Sequence, residues 1–204
     1  DADATFFGAV SSPPDIPDYK SAIVTLRKEL DLFVNVRPIK SLPVEISRPN
    51  IDIVMMRENT EGMYKGIERE ENGVAIAERR ISEKASRRLA EFTYKYAREN
   101  NRKRVTVVHK ANVLRKTCGL FRRTVLSVSE NFPDIETEEV IVDAMAMRLI
   151  KEPERFDVVV TTNLFGDILS DEASQLVGGL GIAPSGNIGK KKGLFEPVHG
   201  SAPK

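Results

Sequence analysis

Two aspartates carry the sharpest chemical signal in the chain. In Phe165-Gly166-Asp167-Ile168-Leu169-Ser170-Asp171 the carboxylates of Asp167 and Asp171 stand four residues apart, which on a helix puts both on one face. Two anions so placed repel. A hard divalent cation such as Mg²⁺ or Mn²⁺ relieves that repulsion and keeps water or substrate oxygens as its other ligands. The pair follows the apolar run Val158–Val160, at the carboxyl end of a strand, where α/β sheets bind ligands. Asp143, directly after Val140-Ile141-Val142, occupies an equivalent place and could complete a three-carboxylate site. The plain alternative makes Asp143 a helix cap and the other two solvated first-turn acids favoured by the helix dipole.

Three arginines, Arg27, Arg37 and Arg57, accompany apolar strands rather than an open charged face. Guanidinium groups bind carboxylates bidentately, so the trio suits a substrate with two or three carboxylates, although each alone could be a surface ion-pair partner. Lys110 emerges where the apolar strand Val105–Val108 ends, and a partly desolvated lysine can act as a base. Tyr64 also follows a strand and could donate a proton; a salt-bridged lysine and a packed tyrosine are the ordinary alternatives. The tail Phe195–Pro203 joins Gly200, Ser201 and His199, a tight backbone that could approach a nucleotide or simply turn. Neither GxGxxG nor a P-loop occurs.

These side chains need a scaffold. Short β-branched runs alternating with helix-period stretches predict an α/β protein with a largely parallel sheet. Expected strands are Thr5–Val10, Leu32–Val36, Ile51–Met56, Val105–His109, Glu138–Val142 and Asp157–Thr161. Helices are expected from Ser82 to about Asn100, from about Val113 to Asn131, from Asp143, and from Phe165 to about Leu176. The segment Lys65–Arg80 reads as a projecting arm or hairpin, and the glycine-rich stretch after Val177 as loops and a change of domain.

With 204 residues, 41% of them hydrophobic, the chain can bury a sizeable core. Its 31 basic and 30 acidic residues nearly cancel, which gives no footprint for nucleic acid or a membrane surface. The single Cys118 excludes an internal disulfide framework and a cysteine-built metal site, and with no secretory signal or apolar span it points to the cytoplasm. The start at Asp1 and the stop at Lys204 read as those of a fragment.

Six blocks in order resemble the isocitrate/homoisocitrate/3-isopropylmalate dehydrogenase family of β-decarboxylating dehydrogenases. They are Leu26-Arg27-Lys28 with Asn35-Val36-Arg37-Pro38, Arg57–Gly62, Lys110–Leu114, Val142–Met147, Asn163–Asp171 and Glu196–Pro203. The resemblance implies a two-domain, non-Rossmann α/β fold of the isocitrate/isopropylmalate dehydrogenase type. Residues 1–32 and 178–204 would be a partial cofactor-binding domain, and 33–177 an inserted substrate, metal and dimerisation domain. It further implies that Arg27, Arg37 and Arg57 grip malate-like carboxylates, with Ser21 near an extra carboxylate. Asp143, Asp167 and Asp171 would hold Mg²⁺ or Mn²⁺, and Lys110 and Tyr64 would be catalytic. Glu196, His199, Gly200, Ser201 and Ala202 would face NAD or NADP.

In that family the lysine and the first aspartate act across the interface of a homodimer, so one chain would hold an incomplete site. Ser21 and Asn59-Thr60-Glu61 lean towards isocitrate or homoisocitrate, Val24 leans towards 3-isopropylmalate, and Lys204 leans towards NADP. A non-catalytic regulatory subunit is the rival from another class, and it leaves unexplained why each mapped catalytic position is kept.

Overall fold

Valine-rich runs with no polar break build the centre of the fold, because a strand covered on both faces must be apolar on both. The computed structural model describes residues 2–10 and 21–200. Its main sheet has eight strands: β1 (Ala4–Phe6), β2 (Val34–Lys40), β3 (Asp52–Glu58), β6 (Arg104–His109), β7 (Glu136–Ile141), β8 (Val158–Thr161), β9 (Pro184–Ile188) and β10 (Gly193–Pro197). Their order is β1-β10-β9-β2-β3-β8-β6-β7. The right-hand strands β3, β8, β6 and β7 run parallel, whereas β2 is antiparallel to β3 and β9, and β9 to β10. The sheet is therefore mixed, less parallel than the sequence suggested.

Helices α2 (Glu83–Glu99) and α3 (Thr117–Ser129) cover one face through Leu89, Tyr94, Phe121 and Val125. Helices α4 (Val142–Lys151) and α5 (Asn163–Gln175) cover the other through Met145, Leu149, Leu169 and Ala173. Helix α2 begins where its sequence signal placed it, with the Ser82 hydroxyl accepting from the Ala85 amide at 3.2 Å. Helix α3 starts at Thr117, later than expected, because residues after Lys110 close a turn in which the amides of Val113 and Leu114 donate to the Lys110 carbonyl.

The arm is a two-stranded hairpin, β4 (Glu68–Glu71) and β5 (Val74–Ala77). Asn72 and Gly73 both have positive φ, the conformation of a tight hairpin turn.

Two expectations fail at the ends of the chain. Residues Ala22–Glu29 form helix α1, so Arg27 is carried by a last helical turn and reaches the sheet only through its side chain. The glycine-rich tail contains β9 and β10, strands inside the sheet. Gly186 and Gly193 serve there as a bed for the Phe195 ring, since a Cβ at either would lie 3.2 or 3.1 Å from it. One continuous sheet thus contains strands from both segments assigned to separate domains. No helix among the described residues is long and apolar enough to cross a membrane.

Candidate active site

Arg57 is the penultimate residue of strand β3, and the neighbouring β8 ends just before α5, so the guanidinium projects against the first turns of that helix. Gly166 permits the approach: a Cβ there would stand 2.7 Å from Cγ and 2.8 Å from Cβ of Arg57. The Arg57 Nε and Nη2 donate to Oδ1 of Asn163, at 2.9 and 2.7 Å, and Nη1 donates to Oδ1 of Asp167. Arg37 reaches the same helix from β2. Its Nη2 donates to Asp167 at 3.2 Å, and its Nη1 to Ser170 Oγ at 2.5 Å and Asp171 Oδ1 at 3.1 Å. The Tyr64 hydroxyl closes the cluster by donating to Oδ2 of Asp167, with its ring under the Arg57 guanidinium.

Burial sets the charges here. It draws the Arg57 guanidinium down to about 10, helped by the like charge of Arg37 and opposed by Asp167. Arg37 is lowered for the same first reason. Burial also pushes Asp167 up, but Arg57, the Tyr64 hydroxyl and Arg37 together outweigh it and hold this carboxylate below its usual range. Asp171 moves the other way, raised by burial and by Asp167 against the pull of Arg37. Burial and the adjacent Asp167 hold the Tyr64 phenol protonated above its ordinary range.

A second cluster stands two strands away. Lys110, at the end of β6, donates through Nζ to Oδ1 of Asp143, the second residue of α4. That hydrogen bond lowers the Asp143 carboxyl, and its side chain remains 68% exposed. Strand β6 lies between β7 and β8, so Asp143 stands at a different strand end from Asp167 and Asp171 and pairs with Lys110 instead. Among the described residues no group of three metal-ligating side chains forms. The three-carboxylate site read from the sequence is therefore split into two parts. Asp167 and Asp171 still fit a hard divalent cation by donor chemistry, because Mg²⁺ is commonly held by one or two carboxylates plus water and substrate oxygens.

A cavity of about 210 Å³ adjoins the first cluster and gathers Ser21, Arg27, Arg37, Glu196, His199 and Gly200. Arg27 Nη2 donates to Oε1 of Glu196 at 2.8 Å, which ties α1 to β10. The His199 Nδ1–H donates to the Gly200 carbonyl at 2.8 Å. Ser201 and Ala202, and with them Lys204, lie outside the described residues. Sequence reasoning missed Asn163 and Asn35, each detectable by the spacing that shares a face with a charged residue: Asn163 four before Asp167 on a helix, Asn35 two before Arg37 on a strand. Nothing in the sequence singled out Ser170.

The family model described as isocitrate/isopropylmalate dehydrogenase matches residues 1–204. A homoisocitrate dehydrogenase of Methanocaldococcus jannaschii is 53% identical over 216 residues, covering 100% of this chain and 62% of its own length. An isocitrate/homoisocitrate dehydrogenase of Thermus thermophilus is 55% identical, covering 98% of this chain and 60% of its own length. A 3-isopropylmalate dehydrogenase of Methanothermobacter thermautotrophicus is 52% identical, covering 100% and 61%. The crystal structure of isocitrate dehydrogenase from Methylococcus capsulatus superposes with a TM-score of 0.93 at 45% identity, covering 98% of this chain and 61% of that one. The chain spans about three fifths of the length of these relatives.

Proposed function

Because this chain belongs to the isocitrate/isopropylmalate dehydrogenase family, we propose that the protein oxidises and decarboxylates a 2-hydroxy acid bearing a β-carboxylate, using NAD or NADP and Mg²⁺ or Mn²⁺. The observation that carries this reading is the convergence of Arg37, Arg57 and Tyr64 on Asp167, with Asp171 beside them. Isocitrate or homoisocitrate is the favoured substrate, on the Ser21 and Asn59-Thr60-Glu61 pattern. Relatives of nearly equal identity carry the names of all three activities, so identity alone does not choose.

Arg27, Arg37 and Arg57 would hold the substrate carboxylates. Arg57 is only 2% exposed and, like Arg37, already bonded to Asp167, so a cation held by Asp167 would release guanidinium nitrogens for the substrate. Bound there, the cation supplies Lewis-acid stabilisation of charge developing on a neighbouring oxygen, and the nicotinamide supplies the hydride acceptor. Lys110 accepts the proton of the substrate hydroxyl as the C2 hydride leaves, giving a β-keto acid. After the bond to the β-carboxylate breaks and CO₂ departs, Tyr64 protonates the carbon left behind. Glu196, His199 and Gly200, followed by Ser201 and Ala202, would face the nucleotide, with β1, β9 and β10 belonging to the cofactor-binding domain.

The base and the first aspartate would come from a second copy. On α4, Asp143 shares one helical face with Met147 and Ile150, which are 58% and 63% exposed, and Ile168 of α5 is exposed beside Asp167. Apolar side chains flanking both half-sites suit an interface that joins them. The test is NAD(P)H formation by the whole protein with isocitrate, homoisocitrate and 3-isopropylmalate, with Mg²⁺ and after chelation. Turnover of none of the three, or turnover indifferent to chelation, would sink the assignment.

A further inference from the structure

Asn187 sits inside the sheet with no exposed surface, on β9, between β10 and β2, a strand hidden in the glycine-rich sequence. Its side-chain amide makes four hydrogen bonds. Oδ1 accepts from Nδ2 of Asn35 at 2.9 Å and from Nδ2 of Asn59 at 3.0 Å, while Nδ2 donates to the Leu194 carbonyl at 3.3 Å and to Oε1 of Glu196 at 2.7 Å. An amide has two lone pairs and two N–H donors, so its capacity is filled. Aspartate cannot donate, and glutamine is longer by one methylene in a closed site. Asparagine alone meets all four partners.

Two of those partners lead to the arginines. Asn35, directly opposite Asn187 in the sheet register, accepts from Nε of Arg37 at 2.7 Å. Glu196 accepts from Nη2 of Arg27 through the same Oε1 that Asn187 holds. Among the described residues Glu196 is the one side chain that Arg27 bonds, and the Arg27 Nε is buried without a partner. A continuous path therefore runs Arg37–Asn35–Asn187–Glu196–Arg27, from β2 through β9 and β10 to α1. The two guanidinium groups repel, since Arg27 is among the charges that lower Arg37, so their spacing must be imposed by what anchors them.

We propose that Asn187 is a positioning residue that fixes the separation of the Arg27 and Arg37 guanidinium groups and thereby selects ligands with two carboxylates over ligands with one. This rests on reading both arginines as the substrate grip. A carboxylate that meets a single arginine does not sense the distance between two, whereas a dicarboxylate must match it.

The experiment compares malate, with two carboxylates, and lactate, with one, as competitive inhibitors of the whole enzyme carrying Asn187→Asp, Asn35→Ser or Arg37→Lys. Asn187→Asp is expected to weaken malate by about tenfold, the scale of one buried hydrogen bond, and to leave lactate unchanged. Asn35→Ser breaks the same path one step away and should repeat the pattern, which keeps the test decisive if Asn187→Asp does not fold. Equal weakening of both inhibitors, or unchanged malate in either asparagine variant, overturns the positioning role. Arg37→Lys reports on the premise: unchanged malate there means the arginine reading itself is wrong. Weaker malate there, without any effect of the asparagine variants, removes only Asn187.

Discussion

The carboxylate of Asp167 is shared between a phenol and two guanidinium cations: Tyr64 donates to its Oδ2, and Arg57 and Arg37 donate to its Oδ1. That relationship places a proton donor, two anion-binding groups and a candidate metal ligand on one pair of oxygens. Asp167→Asn keeps the shape and removes the charge. Metal affinity, measured by titration with Mn²⁺ or Mg²⁺ in the whole protein, should fall by more than about tenfold, since even residues that only support a ligand have effects of that size. Unchanged affinity would remove Asp167 from the site. Folding stability should also drop by about 1–3 kcal/mol, because two buried guanidinium groups lose their countercharge and the Tyr64 hydroxyl can lose its acceptor.

Gly166 is where helix α5 meets the Arg57 stem. In Gly166→Ala the new methyl would lie 2.7 Å from Cγ and 2.8 Å from Cβ of Arg57, atoms close to the backbone that cannot swing away. The helix must move, at a cost of about 1–3 kcal/mol. Denaturant unfolding of the variant checks this, and a midpoint equal to that of the parent protein would show that the contact is not tight.

His109 gives the protein a pH dependence close to its proposed base. The ring is buried: Nδ1 accepts from the Ala111 amide at 3.1 Å, and Nε2–H donates to Glu139 at 3.2 Å. Burial lowers its pKa below the ordinary 6.5, with Glu139 opposing and Arg122 assisting. A depressed histidine pKa means that the unfolded chain takes up its proton first as pH falls. The contribution of His109 to stability is thus complete above about pH 6.5 and declines below it, towards the folded value. His109→Gln should flatten the fall in unfolding free energy on acidification, by at most about 1.4 kcal/mol per pH unit. Parallel pH profiles for the two proteins would contradict this.

How much of this could be read from the sequence depends on which signals are local. Asp167, Asp171 and Tyr64 were legible because each follows a strand, and a strand end fixes position before any tertiary contact is known. Arg57 was legible for the same reason, at the end of β3. Arg27 was expected to accompany an apolar strand and lies on α1, since the eight residues Ala22–Glu29 carry too few turns for a helical period to stand out. Strands β9 and β10 were invisible because their glycines mark a close approach of the Phe195 ring, a fact that exists only after folding. With β9 unseen, Asn187 carried no signal at all. The separation of Asp143 from Asp167 could not be read from spacing, because it depends on β6 lying between β7 and β8 in the sheet; only the family resemblance implied it.

The division of the site into an Asp167 cluster and a Lys110–Asp143 cluster leads to the most direct test of the proposal. Lys110→Ala and Tyr64→Phe proteins are prepared separately, each expected to be nearly inactive, then mixed, dissociated and allowed to reassociate. If a complete site needs Lys110 from one copy and Tyr64 from the other, each mixed dimer has one intact site and one doubly impaired site. Random pairing in a two-fold dimer then restores roughly one quarter of the parent NAD(P)H-forming rate. No recovery after verified exchange of subunits, or near-parent activity in either variant alone, would contradict a site completed by two copies of this chain.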